Sequence, residues 1–402
     1  MMIACDVLVI GAGVAGASAA VAAARAGSRT MLIEKERYLG GSGTAGMFQS
    51  ICGLYLNGAS APTETLNQGI VREIVVLLNT MSPRRIIKKI GQVYVLPYSS
   101  EDLQSALRLL CSAEKNLTVL QNAEAVAVTK RSTRIESITI KGPEGEQSVS
   151  PQMVIDCSGS GDIAAQAGAE FDLSIPEERQ LAGFTLRIQG LQGADDTLAF
   201  KVPYHLAQAV RQGLFAPAVK FTTFTPGDAI GEGYCKLSID AQEGPGREEQ
   251  TRKEAAAVHA YLASVIPAFE ASSIAGTSLK VLEREGRRVR GEYTLTKDDV
   301  LLAKKFSDGI VKNAWPIELW DRLKGTVFKY VPRGDYYEIP LRCLMVKNIA
   351  NLLTAGRCIS VTHEALGSTR VMGACMALGE QAGRAAAYRV RNGKYPENVK
   401  EY

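Results

Sequence analysis

The chain has 402 residues, 46% hydrophobic and 22% charged, enough apolar material for a large core in two or three domains and too much for wholesale disorder. Lys plus Arg exceeds Asp plus Glu by only 46 to 42, which gives no argument for nucleic acid as a partner. None of the eight cysteines forms a CxxC pair, so neither a zinc knuckle nor a ferredoxin-type cluster is encoded, no metal site is expected, and reduced thiols in a cytoplasmic protein are the default.

The chain opens on CDVLVI (5–10), a β-rich run, followed by the turn GAGVAG (11–16), an Ala-rich helix ASAAVAAARAG (17–27) and a second buried strand, RTMLIEK (29–35). This is a βαβ unit of about thirty residues. The uncharged stretch from Val7 to Ala24 is long enough to resemble a membrane span. However, Asp6 stands at its start and Gly11, Gly13 and Gly16 interrupt it, so a strand–turn–helix explains it better and no membrane is expected.

A glycine-dense loop, LGGSGTAG (39–46), comes next. SSEDLQSALRLLCSAEKN (99–116) reads as a helix capped by Ser100 ahead of Asp102, and LTVLQNAEAVAVTK (117–130) and RIESITIKG (134–142) as strands, with GPEG (142–145) as a hairpin turn. MVIDCSG (153–159) is a buried strand entering the turn SGSGD (158–162) and a small-residue helix, IAAQAGA (163–169). From about 170 to 340 aromatic and charged residues increase, FTLRIQG (184–190) alternates, and a long helix runs from about Arg247 to Ala268. Glycine and alanine return in the strand-like NLLTAGR (351–357) and the helix VMGACMALGEQAGRAAAYRV (371–390).

The predicted fold is therefore α/β. A Rossmann-like domain is built from both ends of the chain (1–169 and 341–402), with an inserted α+β substrate or cap domain at 170–340, and 47–98 open to partial assignment to the cap.

Two stretches match GxGxxG, and only one has the required context. Gly11, Gly13 and Gly16 follow a strand and open a helix, so Gly11 makes the tight turn, Gly13 lets the backbone approach a pyrophosphate, and Gly16 permits close helix–strand packing. Glu34 closes the second strand, where its carboxylate accepts hydrogen bonds from an adenosine ribose and repels a 2′-phosphate. The second match, Gly41, Gly43 and Gly46, follows a loop; it is either a flexible connection or a backbone passing close to the cofactor.

Together with VIDCSGSGDIAAQAGA (154–169), EREGRRVRGEYTLTKDDV (283–300), YYEIPLRCL (336–344) and LLTAGRCISVTHEALGSTRVMGACMALGEQAGRAAA (352–387), these residues resemble the glutathione-reductase-type flavoprotein superfamily and, within it, the FAD-dependent oxidoreductases. The resemblance covers most of the chain. It implies an extended FAD with its adenosine near Gly11 to Glu34 and its flavin near the C-terminal return. Ala125 and Val126 match the strand whose backbone meets the adenine, Ser158 and Gly159 the turn near the nucleotide, and Gly356 and Arg357 the strand end at the ribityl–pyrophosphate region. The expected contacts also include Ala15, Lys35, Gly41, Ser42, Thr44 and Val371. Gly367, Ser368 and Thr369 precede the last helix, whose N-terminal dipole suits the flavin N1–C2=O edge, although plain capping explains Ser and Thr there equally well.

For chemistry beyond the flavin, His363 is the first candidate proton carrier because it lies between TAGR and GSTR and titrates near neutrality. Arg342, Arg370 and Arg288 are candidates for holding an anionic substrate, with a structural ion pair favoured for Arg288. Glu364 and Tyr337 are weaker candidates, and Cys52 and Cys358 read as buried inert thiols. The expected function is hydride transfer between flavin N5 and a small organic substrate by a dehydrogenase or oxidase. The alternative is a flavin-bearing subunit of an electron-transfer complex; a homo-oligomer or a redox partner protein stays open.

Overall fold

The computed structural model describes residues 2–83, 85–240, 244 and 246–396. The core of the first layer is a seven-stranded sheet in which Leu117–Gln121, Thr30–Glu34, Met2–Ile10 and Gly145–Asp156 lie parallel in that order, followed by Arg134–Gly142 and Glu124–Arg131 as an antiparallel extension. The short strand Leu352–Thr354 pairs in parallel with the end of Gly145–Asp156, so a segment near the C-terminus completes a sheet begun at the N-terminus. Val7 to Val9 and Leu32 to Ile33 are buried on both faces, as expected for parallel strands with both faces covered.

The helix Val14–Arg25 and the C-terminal helix Met372–Asn392 cross on one face of this sheet at very short range. A Cβ added to Gly379 would lie 1.9 Å from the carbonyl oxygen of Ala15, and one on Gly383 2.1 Å from that of Ala19. The small-residue composition of both helices thus has a packing cause: it lets two backbones touch.

A second layer is the antiparallel sheet Thr223–Pro226, Gly233–Ile239, Ala182–Gln189 and Ser273–Thr277, covered by the helices Leu198–Arg211 and Arg247–Val265. Gly309–Asn313 with Tyr337–Pro340 and Ile317–Asp321 with Gly325–Lys329 form two further antiparallel pairs, and Ser50–Ile51, Val93–Pro97 and Lys88–Ile90 form a separate small sheet.

Several boundaries differ locally from the sequence reading. Residues 117–130 form two strands, because Asn122 takes a left-handed φ of 54° and turns the chain from one strand into the next. The cap of the helix Ser100–Ser112 is Ser99, whose side chain accepts the Asp102 amide, one residue before the expected Ser100. The segment expected to lead straight into the last helix forms its own short helix, His363–Thr369, and Val371 is the residue that starts Met372–Asn392.

Candidate functional site

The first glycine turn divides its labour by residue. Gly11 has φ +92°, and a Cβ there would sit 2.5 Å from the Cys157 carbonyl oxygen; a Cβ on Gly16 would sit 1.7 Å from the Gly11 carbonyl oxygen. Both are held by packing. Gly13 has φ −60°, which any residue adopts, and a Cβ there would meet nothing within 4 Å. Its bare backbone therefore faces open space at the N-terminus of a twelve-residue helix, the setting in which a phosphate is received.

The second glycine stretch converges on the first. Gly40 donates to the Ala12 carbonyl at 2.8 Å and bridges Gly13, and a Cβ on Gly41 would come 3.0 Å from the Gly13 Cα. Gly41 and Ser42 thus border the same cradle, with Ser42 exposed, whereas the Thr44 hydroxyl is committed to the Leu39 carbonyl at 2.6 Å.

Glu34 is buried at the cradle's edge, where its carboxylate accepts the amides of Ala12 at 2.6 Å and Glu36 at 3.0 Å. Each oxygen keeps a further lone pair for a ribose hydroxyl. Lys35 points to solvent. The chain then passes from Ala123, whose amide donates to the Glu34 carbonyl, into the strand Glu124–Arg131, where pairing with the neighbouring strand skips Val126. This bulge leaves the Val126 backbone outside the ladder, beside the Glu34 end of the sheet.

On the other side of the cradle Asp156 is fully buried and organises a turn. One oxygen accepts the Ser158 amide and hydroxyl, and the other accepts the amides of Ile163 and Ala164. Gly159 follows with φ +81°, and its carbonyl accepts Arg357 Nε at 2.6 Å. Gly356 takes φ +86°, and a Cβ there would lie 3.1 Å from that of Ala15. Gly13, Ala15, Ser158, Gly159, Gly356 and Arg357, distant in sequence, are thereby gathered around one helix N-terminus.

Two of the expected flavin contacts are otherwise occupied. Gly367 abuts the backbone of Glu318, and the Ser368 hydroxyl contacts the Trp315 carbonyl at 2.5 Å and the Tyr337 hydroxyl at 2.6 Å. They lie in the body of the short helix and fasten it to neighbouring strands, so the geometry gives them a packing role where the sequence suggested a helix N-terminus. Thr369 Oγ1, by contrast, is buried without a partner, and Val371 heads the long helix.

His363 Nδ1 lies 3.1 Å from the Glu285 carboxylate and 3.1 Å from the Ser174 hydroxyl. The hydrogen bond to Glu285 raises the histidine's pKa against the opposing effect of burial. Burial pushes the Glu285 carboxyl up, but its bonds to His363 and the Gln180 amide prevail and hold it low. Arg288 is buried and joins the same network, 3.4 Å from Glu285, matching the ion-pair role favoured for it.

Arg342 is not gathered with these groups. Its half-exposed guanidinium makes two 2.9 Å bonds to Asp308, beside an open depression of about 440 Å³ that no cradle residue lines. Its candidacy for holding substrate therefore gives way to a surface ion pair. Tyr337 is fully buried in its bond to Ser368, and Glu364 makes no hydrogen bond among the described residues. Burial pushes the Cys52 thiol up to about 12 and the Cys358 thiol well above its ordinary range, so neither is a nucleophile.

Arg370 instead belongs to a partly buried charged cluster that composition could not reveal. Its Nη2 donates to the Glu318 carbonyl at 3.0 Å, and its Nε is buried without a partner. The Glu318 carboxylate accepts the indole N–H of Trp315 at 3.1 Å and of Trp320 at 2.8 Å. Arg284 stacks 3.8 Å over the Trp320 ring and Lys236 lies 4.6 Å over it. Gln180 bridges this cluster to the histidine network: its amide donates to Glu285 while its side-chain carbonyl accepts the Trp320 amide. The only sequence signal was that both tryptophans of the chain lie in the segment 315–320.

Among the described residues no cluster of metal-ligating side chains occurs and no helix is long and apolar enough to cross a membrane. A family profile described as FAD dependent oxidoreductase matches residues 6–402, and no curated protein matches the chain. Among solved structures it is similar to p-nitrophenol 4-monooxygenase from Pseudomonas putida DLL-E4, at 11% identity and TM-score 0.55 over 100% of this chain and 84% of that one. It is likewise similar to OxyS anhydrotetracycline hydroxylase from Streptomyces rimosus, at 13% identity and TM-score 0.54 over 100% and 65%, and to a flavin-dependent brominase, at 12% identity and TM-score 0.50 over 99% and 82%. The chain thus spans just under two thirds of the hydroxylase's length, and at these identities the likeness is one of fold.

Proposed function

The chain belongs to the FAD-dependent oxidoreductase family, and from that premise we propose that it exchanges a hydride between FAD and a small organic substrate, on a glutathione-reductase-type plan. The observation that carries this is the double glycine cradle, where Gly13 presents bare backbone beside Gly41 while Glu34, Val126, Gly159 and Arg357 surround it. These residues fit FAD in an extended form: Glu34 at the ribose, the Val126 backbone at the adenine, Gly13 and Gly41 at the pyrophosphate, and Thr369 to Val371 at the flavin. When bound, FAD supplies the two-electron chemistry at its N5 position.

The protein's own tasks are to orient substrate and to manage a proton. His363, held by Glu285, is the proton carrier in this reading; its Nδ1 is fixed by the carboxylate, which leaves Nε2 to face a substrate. Residues 1–169 and 341–402 hold the nucleotide and 170–340 cover it.

Anaerobic titration of the holoprotein with small organic donors, followed by bleaching of its visible band, tests the reading. Bleaching by such a donor, slowed by H363A without loss of FAD, is the expected result. Reduction only through an added iron–sulfur or flavin partner protein would contradict it and favour an electron-transfer subunit.

A further inference from the structure

The hydride-transfer reading leaves the chemical class of the substrate open, and the cluster around Trp320 bears on it. Lys236, Arg284 and Arg370 surround the single carboxylate of Glu318. The neighbouring Glu283 does not balance them, because Arg247 already holds it. The Glu318 carboxylate takes one indole N–H on each oxygen and, among the described residues, is the one carboxylate facing these three cations. Three cations grouped around one carboxylate in a partly buried site are unfavourable unless another anion joins them.

The donors are also incomplete. Among the described residues Arg370 Nε and Gln180 Nε2 are buried without partners, Gln180 being only 2% exposed. The Lys236 ammonium touches the faces of Trp320 and Phe48 but makes no hydrogen bond among the described residues. Arg284, 6% exposed, donates to the Leu181 carbonyl. Buried polar atoms of a folded protein are mostly satisfied, so two such donors in one cluster with an ammonium that makes no hydrogen bond point to a missing acceptor.

The position fits a substrate. Arg370 directly precedes Val371, which starts the last helix, the end of the cradle assigned to the flavin, and the Cys52 carbonyl accepts the Gly373 amide there. We propose that Lys236, Arg370 and Gln180 bind the carboxylate of an organic monoanion and hold its oxidisable carbon against the flavin. The proposal rests on the hydride-transfer reading. A monoanion suits the local excess of charge better than a dianionic phosphate, because burial holds the Lys236 ammonium down to a pKa of about 7 and thereby leaves it only partly charged at neutral pH.

Both tryptophans of the chain are in the cluster, so intrinsic fluorescence reports on it independently of turnover. The holoprotein is titrated with acetate, pyruvate and benzoate, with neutral benzamide and inorganic phosphate as comparisons, and emission and the flavin band are recorded together. A carboxylate is expected to change emission saturably while benzamide does not, and K236M is expected to weaken its binding at least tenfold with unchanged FAD content. R370K, which keeps the charge but loses the fork, is expected to weaken it less than K236M.

Silence toward all three carboxylates, equal binding by K236M, or tighter binding of phosphate would overturn the proposal. Released flavin is measured on the same samples. Protein that carries no FAD would defeat the hydride-transfer reading, whereas protein that carries FAD and ignores carboxylates would defeat only the substrate class.

Discussion

At the scale of single residues, glycines with the same motif position carry different physical loads, and this separates binding from folding. G13A adds a methyl group into open space at a φ any residue adopts, so stability should fall by no more than about 1 kcal/mol, the ordinary cost of Ala at an N-cap, while FAD retention falls; thermal melting and released-flavin content check both. G16A would place its Cβ 1.7 Å from a backbone oxygen, and loss of soluble folded protein is expected. The His363–Glu285 pair gives a pH prediction. Histidine's folded pKa is raised, so its contribution to stability is present below the unfolded value of about 6.5 and is lost as pH rises through the folded value. The carboxyl of Glu285 is held low, so its contribution is present above about 4.3 and fades as pH falls. E285Q should lower the plateau between these limits by about 3–5 kcal/mol, because Arg288 stays buried without its carboxylate, and flatten the falls on either side of it. Denaturant melts across about pH 2 to 8 check this. Glu34 and the glycines were legible in the sequence because their spacing is local. The Glu285 and Ser174 partners of His363 lie 78 and 189 residues away, and no local pattern announces them.

At the scale of elements, the contact between Val14–Arg25 and Met372–Asn392 is the joint that unites the two chain ends. G379V would push a branched side chain into the Ala15 carbonyl and should cost at least about 1–3 kcal/mol, lowering the melting temperature and FAD content together. The small-residue runs forecast both helices, since Ala and Gly density is itself the packing signal. The helix His363–Thr369 was missed because GSTR resembles a cap, whereas the strand Ile317–Asp321 fixes Gly367 and holds the preceding turn helical. The strand Gly233–Ile239 carries Lys236 into the charged cluster, where Arg284, Arg370, Glu318 and the neutral Cys52 thiol face it. Because its pKa is depressed to about 7, the unfolded chain holds a proton that the folded chain releases. Stability should therefore rise with pH from about 7 toward 10, and carboxylate affinity should fall over the same interval. K236M should remove the stability slope, and a pH series of fluorescence titrations follows the affinity.

At the scale of the molecule, the α/β architecture and the return of the C-terminal segment to the N-terminal sheet followed from glycine placement and strand composition. The order of strands in the covering sheet, and the convergence of 39–46 on 11–16, depend on long-range packing that the linear pattern does not encode. Gln180 joins the histidine network to the cationic cluster, and in the proposed reading FAD bound in the cradle adds to the stability of the fold. A cofactor present at about a hundred times its dissociation constant adds about 2.7 kcal/mol, and the apoprotein should melt lower by the corresponding amount. The visible absorption spectrum of the purified protein, with the flavin then released by acid and identified, tests the central claim most directly. The account predicts a yellow protein that yields FAD and a G13W variant that is folded and colourless. A colourless wild-type protein that takes up no added FAD, or a G13W protein as yellow as the wild type, would contradict it.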